Sequence, residues 1–208
     1  IETLHETAAG FEARIVGAHV EVARAGGIKI SDSRTTVSLR TRGTHAEFVG
    51  RTGGAEAKAL GGVERIEVRG NSLEQSWAFA ARPATRTLTL NVEVEAEGEI
   101  ASRDGAFTLG KSGVVYGSAT WVDAKGVRSA VAAKVVGRSI ELTVAASVLD
   151  QSAYPAVLDP SISPAGALDG HVVKPATASM TQTFSNYYGG SRGKMRLTFD
   201  GTNYVAVW

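Results

Sequence analysis

The residues from Gly105 to Ser112 match the phosphate-binding loop of nucleotide-binding proteins letter for letter. In such loops backbone amides cradle the phosphates and the lysine reaches the terminal groups. The loop must open a helix whose N-terminus faces the anion, yet Ser112 is followed by the strand-like run Gly113 to Tyr116. The sequence therefore predicts a hairpin with its turn at Gly110 to Gly113, and no nucleotide cofactor.

A second segment carries two patterns typical of serine nucleophiles. Gly189 to Gly193 matches the nucleophile elbow of hydrolases, and Ser191 with Lys194 has the spacing found in penicillin-recognising enzymes. Both patterns need a helix after the serine, whereas residues 194 to 199 alternate like a strand. We expect a glycine-rich loop here and no catalytic residue.

Residue spacing gives little support to a metal site. The chain has no cysteine, which excludes thiol catalysis, Cys-ligated zinc and a disulfide framework. The four histidines are far apart in sequence, without a metal-ligand spacing: His5, His19, His45 and His171. The Asp-Gly pairs lack the spaced carboxylates of a calcium loop and are typical of turns: Asp104, Asp169 and Asp200. We expect no metal and no cofactor.

Four glutamates alternate along the chain: Glu93, Glu95, Glu97 and Glu99. On one strand face they would attract a calcium ion or a basic partner. A solvated face is the favoured interpretation, because carboxylates two residues apart discourage edge-to-edge pairing and can meet cross-strand arginines.

Asp159-Pro160 is a chemically labile peptide bond. Self-cleavage after a folded module is one hypothesis. The favoured alternative is a turn at the end of a domain, because proline pushes the preceding residue towards extended geometry and no activating base stands beside Asp159.

Apolar residues recur with a period of two over much of the chain, which is typical of half-buried strands. The pattern is strongest in Arg86 to Ile100, where apolar and polar residues alternate from Leu88 to Ala96. Further strand candidates lie around Phe11 to Ile15, Val37 to Leu39, Ile66 to Val68, Gly113 to Val122, Ala130 to Val136 and Ile140 to Val144.

Helices are predicted to be few, because no window of eleven or more residues has a helical apolar stripe. The best candidate is Ala145 to Gln151, one or two turns long. About a dozen short strands without crossover helices predict an all-β protein, an antiparallel β-sandwich or jelly-roll-like fold.

The composition excludes several classes of protein. Of 208 residues, 43% are hydrophobic, which argues against disorder. The 22 basic residues are almost balanced by 21 acidic ones, which argues against electrostatic nucleic-acid binding. The apolar runs are shorter than the roughly 18 residues of a membrane span.

Prolines cluster at 155, 160, 164 and 175, so we expect a sandwich module at 1–163 and a linker with a terminal strand pair at 164–208.

The segment Tyr154 to Pro160 resembles the tyrosine, proline, three apolar, aspartate, proline signature that closes an N-terminal β-rich domain in large secreted proteins of myxobacteria and their relatives. Glu74 to Pro83 and Val115 to Gly126 resemble hairpins of that family, and the resemblance covers Leu73 to Ile162. Phe199 to Trp208 is similar to the first strand pair of its propeller-like repeats, which normally occur in tandem. The resemblance implies export and a scaffold role.

We therefore expect a non-catalytic extracellular scaffold or adhesion module of a secreted or surface protein. The alternatives are a structural subunit that assembles through its C-terminal strand, a carbohydrate-binding module, and a propeptide of an exported hydrolase. Expected partners are other copies of the chain, adjoining domains or a surface glycan, without nucleic acid or membrane insertion.

Two sets of residues would carry these interactions. Strand pairing would use Tyr204, Val205, Val207 and Trp208. Trp77 and Trp121, with Tyr116 and Phe79, are expected to be core anchors, and the two tryptophans would contact a glycan only if they were exposed.

Overall fold

The computed structural model describes residues 3–43, 46–103 and 105–164, and the backbone of two strands closer to the C-terminus. The chain divides into two compact units, Ile1–Asp169 and Gly170–Trp208. The first unit contains β1 (His5–Glu6), β2 (Gly10–Ile15), β3 (Ala18–Ala23), β4 (Ile28–Ser31), β5 (Thr36–Thr41), β6 (Val49–Arg51), β7 (Gly54–Ala59), β8 (Gly62–Arg69), β9 (Ser72–Phe79), β10 (Leu88–Glu95), β11 (Ile100–Arg103), β12 (Ala106–Leu109), a 3₁₀ turn (Gly110–Ser112), β13 (Val114–Tyr116), β14 (Thr120–Val122), β15 (Arg128–Ala130), β16 (Ala132–Val136), β17 (Ser139–Val144), the helix α1 (Ala146–Gln151), β18 (Ala156–Asp159) and β19 (Ser161–Ser163). The second unit contains β20 (Arg196–Phe199) and β21 (Tyr204–Val207), which pair antiparallel.

The first sheet, sheet A, has eight strands in the order β1-β2-β3-β4-β5-β10-β17-β16. Its central strand β10 pairs antiparallel with β5 and β17, with Val92 opposite Thr41 on one side and Ile140 on the other. The apolar residues of β10 are buried and the polar ones between them are not, as the alternation predicts.

The second sheet, sheet B, is built around β9. One edge of β9 pairs with β8, which continues to β7 and β6. The other edge pairs with two consecutive strands, β18, where Leu158 lies opposite Trp77, and β19, where Ile162 lies opposite Leu73. On their far edges β18 pairs with β14 and β19 with β13. The two strands therefore fill a slot between β9 and the β13–β14 segment.

The two sheets share one apolar core, to which inward positions of both contribute. The all-β, antiparallel sandwich-like class is confirmed, and the predicted helix is present as α1. Strands are more numerous than the dozen expected: nineteen lie within the described part of the first unit, many of them two to four residues long. No helix in the described ranges combines the length and apolar character needed to cross a bilayer.

The segment that matches the phosphate-binding loop is a hairpin, as predicted. β12 and β13 pair antiparallel across the 3₁₀ turn, and no helix follows Ser112. Gly110 has a φ of +60°, and a Cβ there would lie 2.1 Å from the carbonyl oxygen of Glu97. The glycine is thus required by a close backbone approach rather than by a phosphate.

Candidate functional site

The four aromatic side chains singled out from the sequence lie in the core. Trp77 and Tyr116 are fully buried, and Phe79 and Trp121 are 1% exposed. The Trp121 and Phe79 ring centroids are 5.7 Å apart, and the Trp121 indole N–H donates to Ser152 Oγ at 2.8 Å. The core-anchor prediction is confirmed, and the condition for glycan contact by Trp77 or Trp121 is not met because neither ring meets solvent.

Two histidines lie in described strands: His5 is exposed on β1, and His19 on β3 faces its sheet neighbours. His19 Nε2 is 3.4 Å from Glu12 Oε2, and its Nδ1 is 3.6 Å from Glu21 Oε1. His45 and His171 lie outside the described residues. Within the described ranges, no three His, Asp or Glu side chains are grouped so as to hold a metal ion.

The predicted acidic face is shorter than the four glutamates suggested. β10 ends at Glu95, so the placement of Glu97 and Glu99 on the same strand face is wrong. The backbone carbonyls of those two residues accept hydrogen bonds from the amides of Lys111 and Gly110 in the β12–β13 turn. Glu93 does meet an arginine, since Arg42 Nη2 lies 2.7 Å from its Oε1.

Asp159-Pro160 does not form a turn at the end of a domain, and that expectation is wrong. Asp159 closes β18, and Pro160 leads directly into β19 within the same sheet. The extended geometry that proline imposes on the preceding residue keeps the chain in the strand direction. The Pro160 carbonyl oxygen accepts a hydrogen bond from the backbone N–H of Gln75 at 3.4 Å. Self-cleavage of this bond stays an untested hypothesis.

Two half-buried carboxyl groups lie near this bond. Burial raises the pKa of Glu74, the nearby Asp159 charge raises it further, and Arg69, 2.7 Å away, opposes both effects. Burial also raises the pKa of Asp159, against the influence of Arg69 and Arg128. Ionisation of each group therefore has a cost in the folded chain.

The residues assigned to strand pairing fall only partly within the described chain. Tyr204, Val205 and Val207 belong to β21, whose partner is β20. Trp208, and the serine–lysine pair Ser191 and Lys194, lie outside the described residues. Pairing of β21 with another chain stays a prediction.

Four polar side chains meet between the two sheets, and we call them the interior polar cluster: Thr41, Glu64, Gln75 and Tyr116. Each occupies an inward position of an alternating strand, where an apolar residue is normal. The inward series are Val37-Leu39-Thr41 on β5, Glu64-Ile66-Val68 on β8, Leu73-Gln75-Trp77 on β9 and Val114-Tyr116 on β13. This signal is present in the sequence, and our sequence analysis missed it.

The interior polar cluster is closely hydrogen-bonded. Thr41 Oγ1 donates to Glu64 Oε1 at 2.9 Å, and Gln75 Nε2 donates to the same oxygen at 2.6 Å. Gln75 Nε2 also lies 3.2 Å from Thr41 Oγ1, and the Tyr116 hydroxyl donates to Gln75 Oε1 at 3.1 Å. None of the four residues is more than 5% exposed. A hydroxyl, a carboxyl, a carboxamide and a phenol are thus held together away from water, which is a set of groups capable of acyl transfer.

The surroundings keep the phenol protonated. Burial, with a further contribution from the charge of Glu64, raises the pKa of Tyr116 well above its ordinary value. Trp77 lies directly opposite Glu64 in the β8–β9 register, and among the described residues its buried Nε1 finds no hydrogen-bond partner. The inner face of sheet B at this point is therefore polar within an apolar core.

An open cleft of about 840 Å³ lies on the outer face of sheet B. Val63, Ala78 and Val157 form one cross-strand row through β8, β9 and β18. The full lining is Lys58, Ala59, Leu60, Gly61, Gly62, Val63, Arg65, Ala78, Ala80, Pro155 and Val157. The cleft is therefore aliphatic, with two cationic side chains and no aromatic ring.

Comparison of the chain with protein-family models, curated protein sequences and solved structures found no significant match. A functional assignment therefore depends on the geometry of the chain itself.

Proposed function

We propose that this chain is a non-catalytic scaffold or adhesion module of a secreted or surface protein, and that its binding surface is the outer cleft of sheet B. The observation that carries the proposal is the aliphatic row Val63, Ala78 and Val157, which the register aligns across three strands. When a partner covers half-buried aliphatic groups on a rigid sheet, apolar surface is removed from water, and this favours binding. The segment Tyr154 to Pro160 resembles a signature of exported proteins, which supports a secreted or surface location.

The chemistry of the cleft favours a protein partner over a glycan. Sugar rings stack on aromatic faces, whereas Leu60, Val157 and Pro155 offer aliphatic surface. Lys58 and Arg65 add positive charge, and Arg65 Nε lies 3.3 Å from Glu56 Oε2. The proposed partner is another copy of the chain or an adjoining domain of a longer protein.

Self-association through the cleft is tested by the solution mass of the full chain, measured by size exclusion with light scattering over a range of concentrations. We expect an assembly larger than one chain, and a monomer for Val157→Arg, because a cation on the aliphatic row blocks apolar contact. The matched control is Val136→Arg, a valine 49% exposed on β16 in sheet A, which should leave the mass unchanged. A full chain that stays monomeric at every concentration, or equal effects of both variants, would contradict self-association through this cleft.

A second candidate is assembly through the C-terminal strand. Among the described residues β20 and β21 form a sheet of only two strands, and such a hairpin alone is marginally stable in water. A third strand from a neighbouring chain would stabilise it. Val205→Pro in the full chain removes a backbone donor from β21, so it should reduce the assembly mass if this candidate is right and leave it unchanged if the cleft alone makes the contact.

A further inference from the structure

We propose that the interior polar cluster forms an intramolecular ester cross-link, in which the hydroxyl of Thr41 displaces ammonia from the side-chain carboxamide of Gln75. Thr41 lies on β5 of sheet A and Gln75 on β9 of sheet B. The bond would therefore join the two sheets covalently through the core. This inference does not depend on the proposed function, since it concerns the interior of the molecule and not its outer cleft.

The nucleophile and its base are in hydrogen-bonding contact. A threonine hydroxyl is a weak nucleophile until an adjacent base removes its proton. Thr41 Oγ1 donates to Glu64 Oε1 at 2.9 Å, which is within the reach of about 2.6–3.2 Å expected of a general base. Both residues are buried, so water competes little for either group.

The electrophile is held beside the nucleophile. Because an amide C–N bond is about 1.33 Å long and Gln75 Nε2 lies 3.2 Å from Thr41 Oγ1, the carbonyl carbon Cδ lies within about 4.5 Å of that oxygen. Attack requires a small side-chain movement that shortens this distance to about 3–3.5 Å. The orientation of the carboxamide follows from its partners, since the opposite orientation would turn its oxygen towards the Glu64 carboxylate.

A donor is already placed on the carbonyl oxygen that would become negative. The Tyr116 hydroxyl donates to Gln75 Oε1 at 3.1 Å. Tyr116 is fully buried, and its raised pKa keeps the proton on the phenol. A fixed donor in a water-poor interior stabilises a tetrahedral oxyanion as the donors of acyl-transfer enzymes do.

The reaction balances with the groups present. Glu64 takes the proton from Thr41 Oγ1, the Oγ1–Cδ bond forms, and the carbonyl electron pair moves onto Gln75 Oε1. As the intermediate collapses, the Cδ–Nε2 bond breaks and Glu64 passes the proton to the departing nitrogen, 2.6 Å away in the hydrogen-bonded state. Ammonia leaves, an ester remains, and Glu64 is again a carboxylate. The step occurs once in each chain, so it is a self-modification without turnover.

The experiment is the intact mass of the purified full chain, followed through incubation at neutral pH after refolding. We expect a loss of one ammonia relative to the sequence, and after proteolysis a joined pair of peptides, one with Thr41 and one with Gln75. Hydroxylamine should separate the pair, because it cleaves esters. Thr41→Val and Glu64→Gln should keep the full sequence mass, and Tyr116→Phe should slow the reaction by about 100-fold or more.

The matched control is Thr36→Val, which changes an exposed threonine on the same strand and should still lose ammonia. An unchanged wild-type mass after long incubation would overturn the proposal, and this result decides the matter even if a variant fails to fold. A loss of ammonia that persists in folded Thr41→Val would also overturn it, because another residue would then be responsible.

Discussion

At the scale of single residues, local contacts decide whether folding favours the charged or the neutral form of a carboxyl group. Asp123 accepts hydrogen bonds from the backbone amides of Lys125, Val127 and Ala153, and these bonds, the Ala153 one foremost, lower its pKa. Glu74, half-buried and near Asp159, has its pKa raised. The two groups therefore make stability depend on pH in opposite directions.

Replacement of Glu74 with glutamine should stabilise the protein at neutral pH. Because the folded pKa of Glu74 is above its unfolded value, the favourable protonated form is fully present at acid pH, and its contribution is lost as pH rises through the raised pKa. The variant should therefore melt higher than wild type at pH 7, by about 2–4 °C for each kcal/mol recovered, with a gap that closes towards pH 4. Thermal unfolding by circular dichroism measures this, and a variant that melts lower at pH 7 would show that its ion pair with Arg69 outweighs burial.

Replacement of Asp123 with alanine should have the opposite pH dependence. Its lowered pKa means that the charged form contributes stability above the ordinary aspartate range and loses it as pH falls through the folded pKa. We expect the variant to melt lower than wild type at pH 7 and the difference to shrink in acid. Asp150→Asn, which alters an exposed partner of Arg82, is the control and should change little; a deficit for Asp123→Ala that is independent of pH would count against the role of its charge.

At the scale of elements, backbone approach fixes the hairpin between β12 and β13. Gly110 combines a positive φ with a carbonyl oxygen where a Cβ would be, whereas Gly126, at φ +78°, has no atom within 4 Å of that position. Glycine is thus favoured at Gly126 by backbone conformation alone, and at Gly110 by both conformation and lack of space for a Cβ.

Alanine at Gly126 should cost roughly 1–2 kcal/mol, the usual penalty of the left-handed region. Alanine at Gly110 should cost at least about twice as much, because the β12–β13 hairpin must also move away from Glu97. Chemical denaturation of both variants gives the two free energies of unfolding. Equal losses would mean that the turn relaxes freely and that the close approach is unimportant.

The elements that the sequence predicted well are those with a long or simple local signal. β10 has four buried apolar residues in strict alternation, and α1 is short but directly follows the strand signal of Ile140 to Val144. Strands of two to four residues, such as β19, contain too few alternations to be recognised. Continuation of the sheet past Pro160 depends on pairing with β9, almost ninety residues earlier, which local patterns do not encode. Prediction of the interior polar cluster requires knowing which inward positions meet across the sheets.

At the scale of the whole molecule, the chain has a C-terminal boundary of its first unit near Asp169 and not at the labile Asp159-Pro160 bond. Ile162 of β19 is fully buried, and its strand pairs on both edges. A cut after Asp159 would remove this strand from the sheet. A propeptide role that relies on cleavage there would therefore disrupt the module itself.

Two truncations test this boundary. A chain that ends at Asp169 should melt within about 2 °C of the full chain, since it keeps the whole first unit. A chain that ends at Asp159 should lose roughly 2–5 kcal/mol or fail to fold, because it loses the buried Ile162 and the pairing of β19. Thermal unfolding of both decides; a stable chain ending at Asp159 would restore the cleavage hypothesis.

The slot in sheet B also has a consequence for biosynthesis. β9 is translated before β18 and β19, the strands that pair with one of its edges, and these strands end only at Ser163. Until they leave the ribosome, that edge of β9 and the facing edges of β13 and β14 have no partner strand from this sheet. Such long-range pairing slows folding and leaves open edges exposed. The nascent chain should therefore remain incompletely folded and dependent on chaperones until synthesis of the first unit is almost finished.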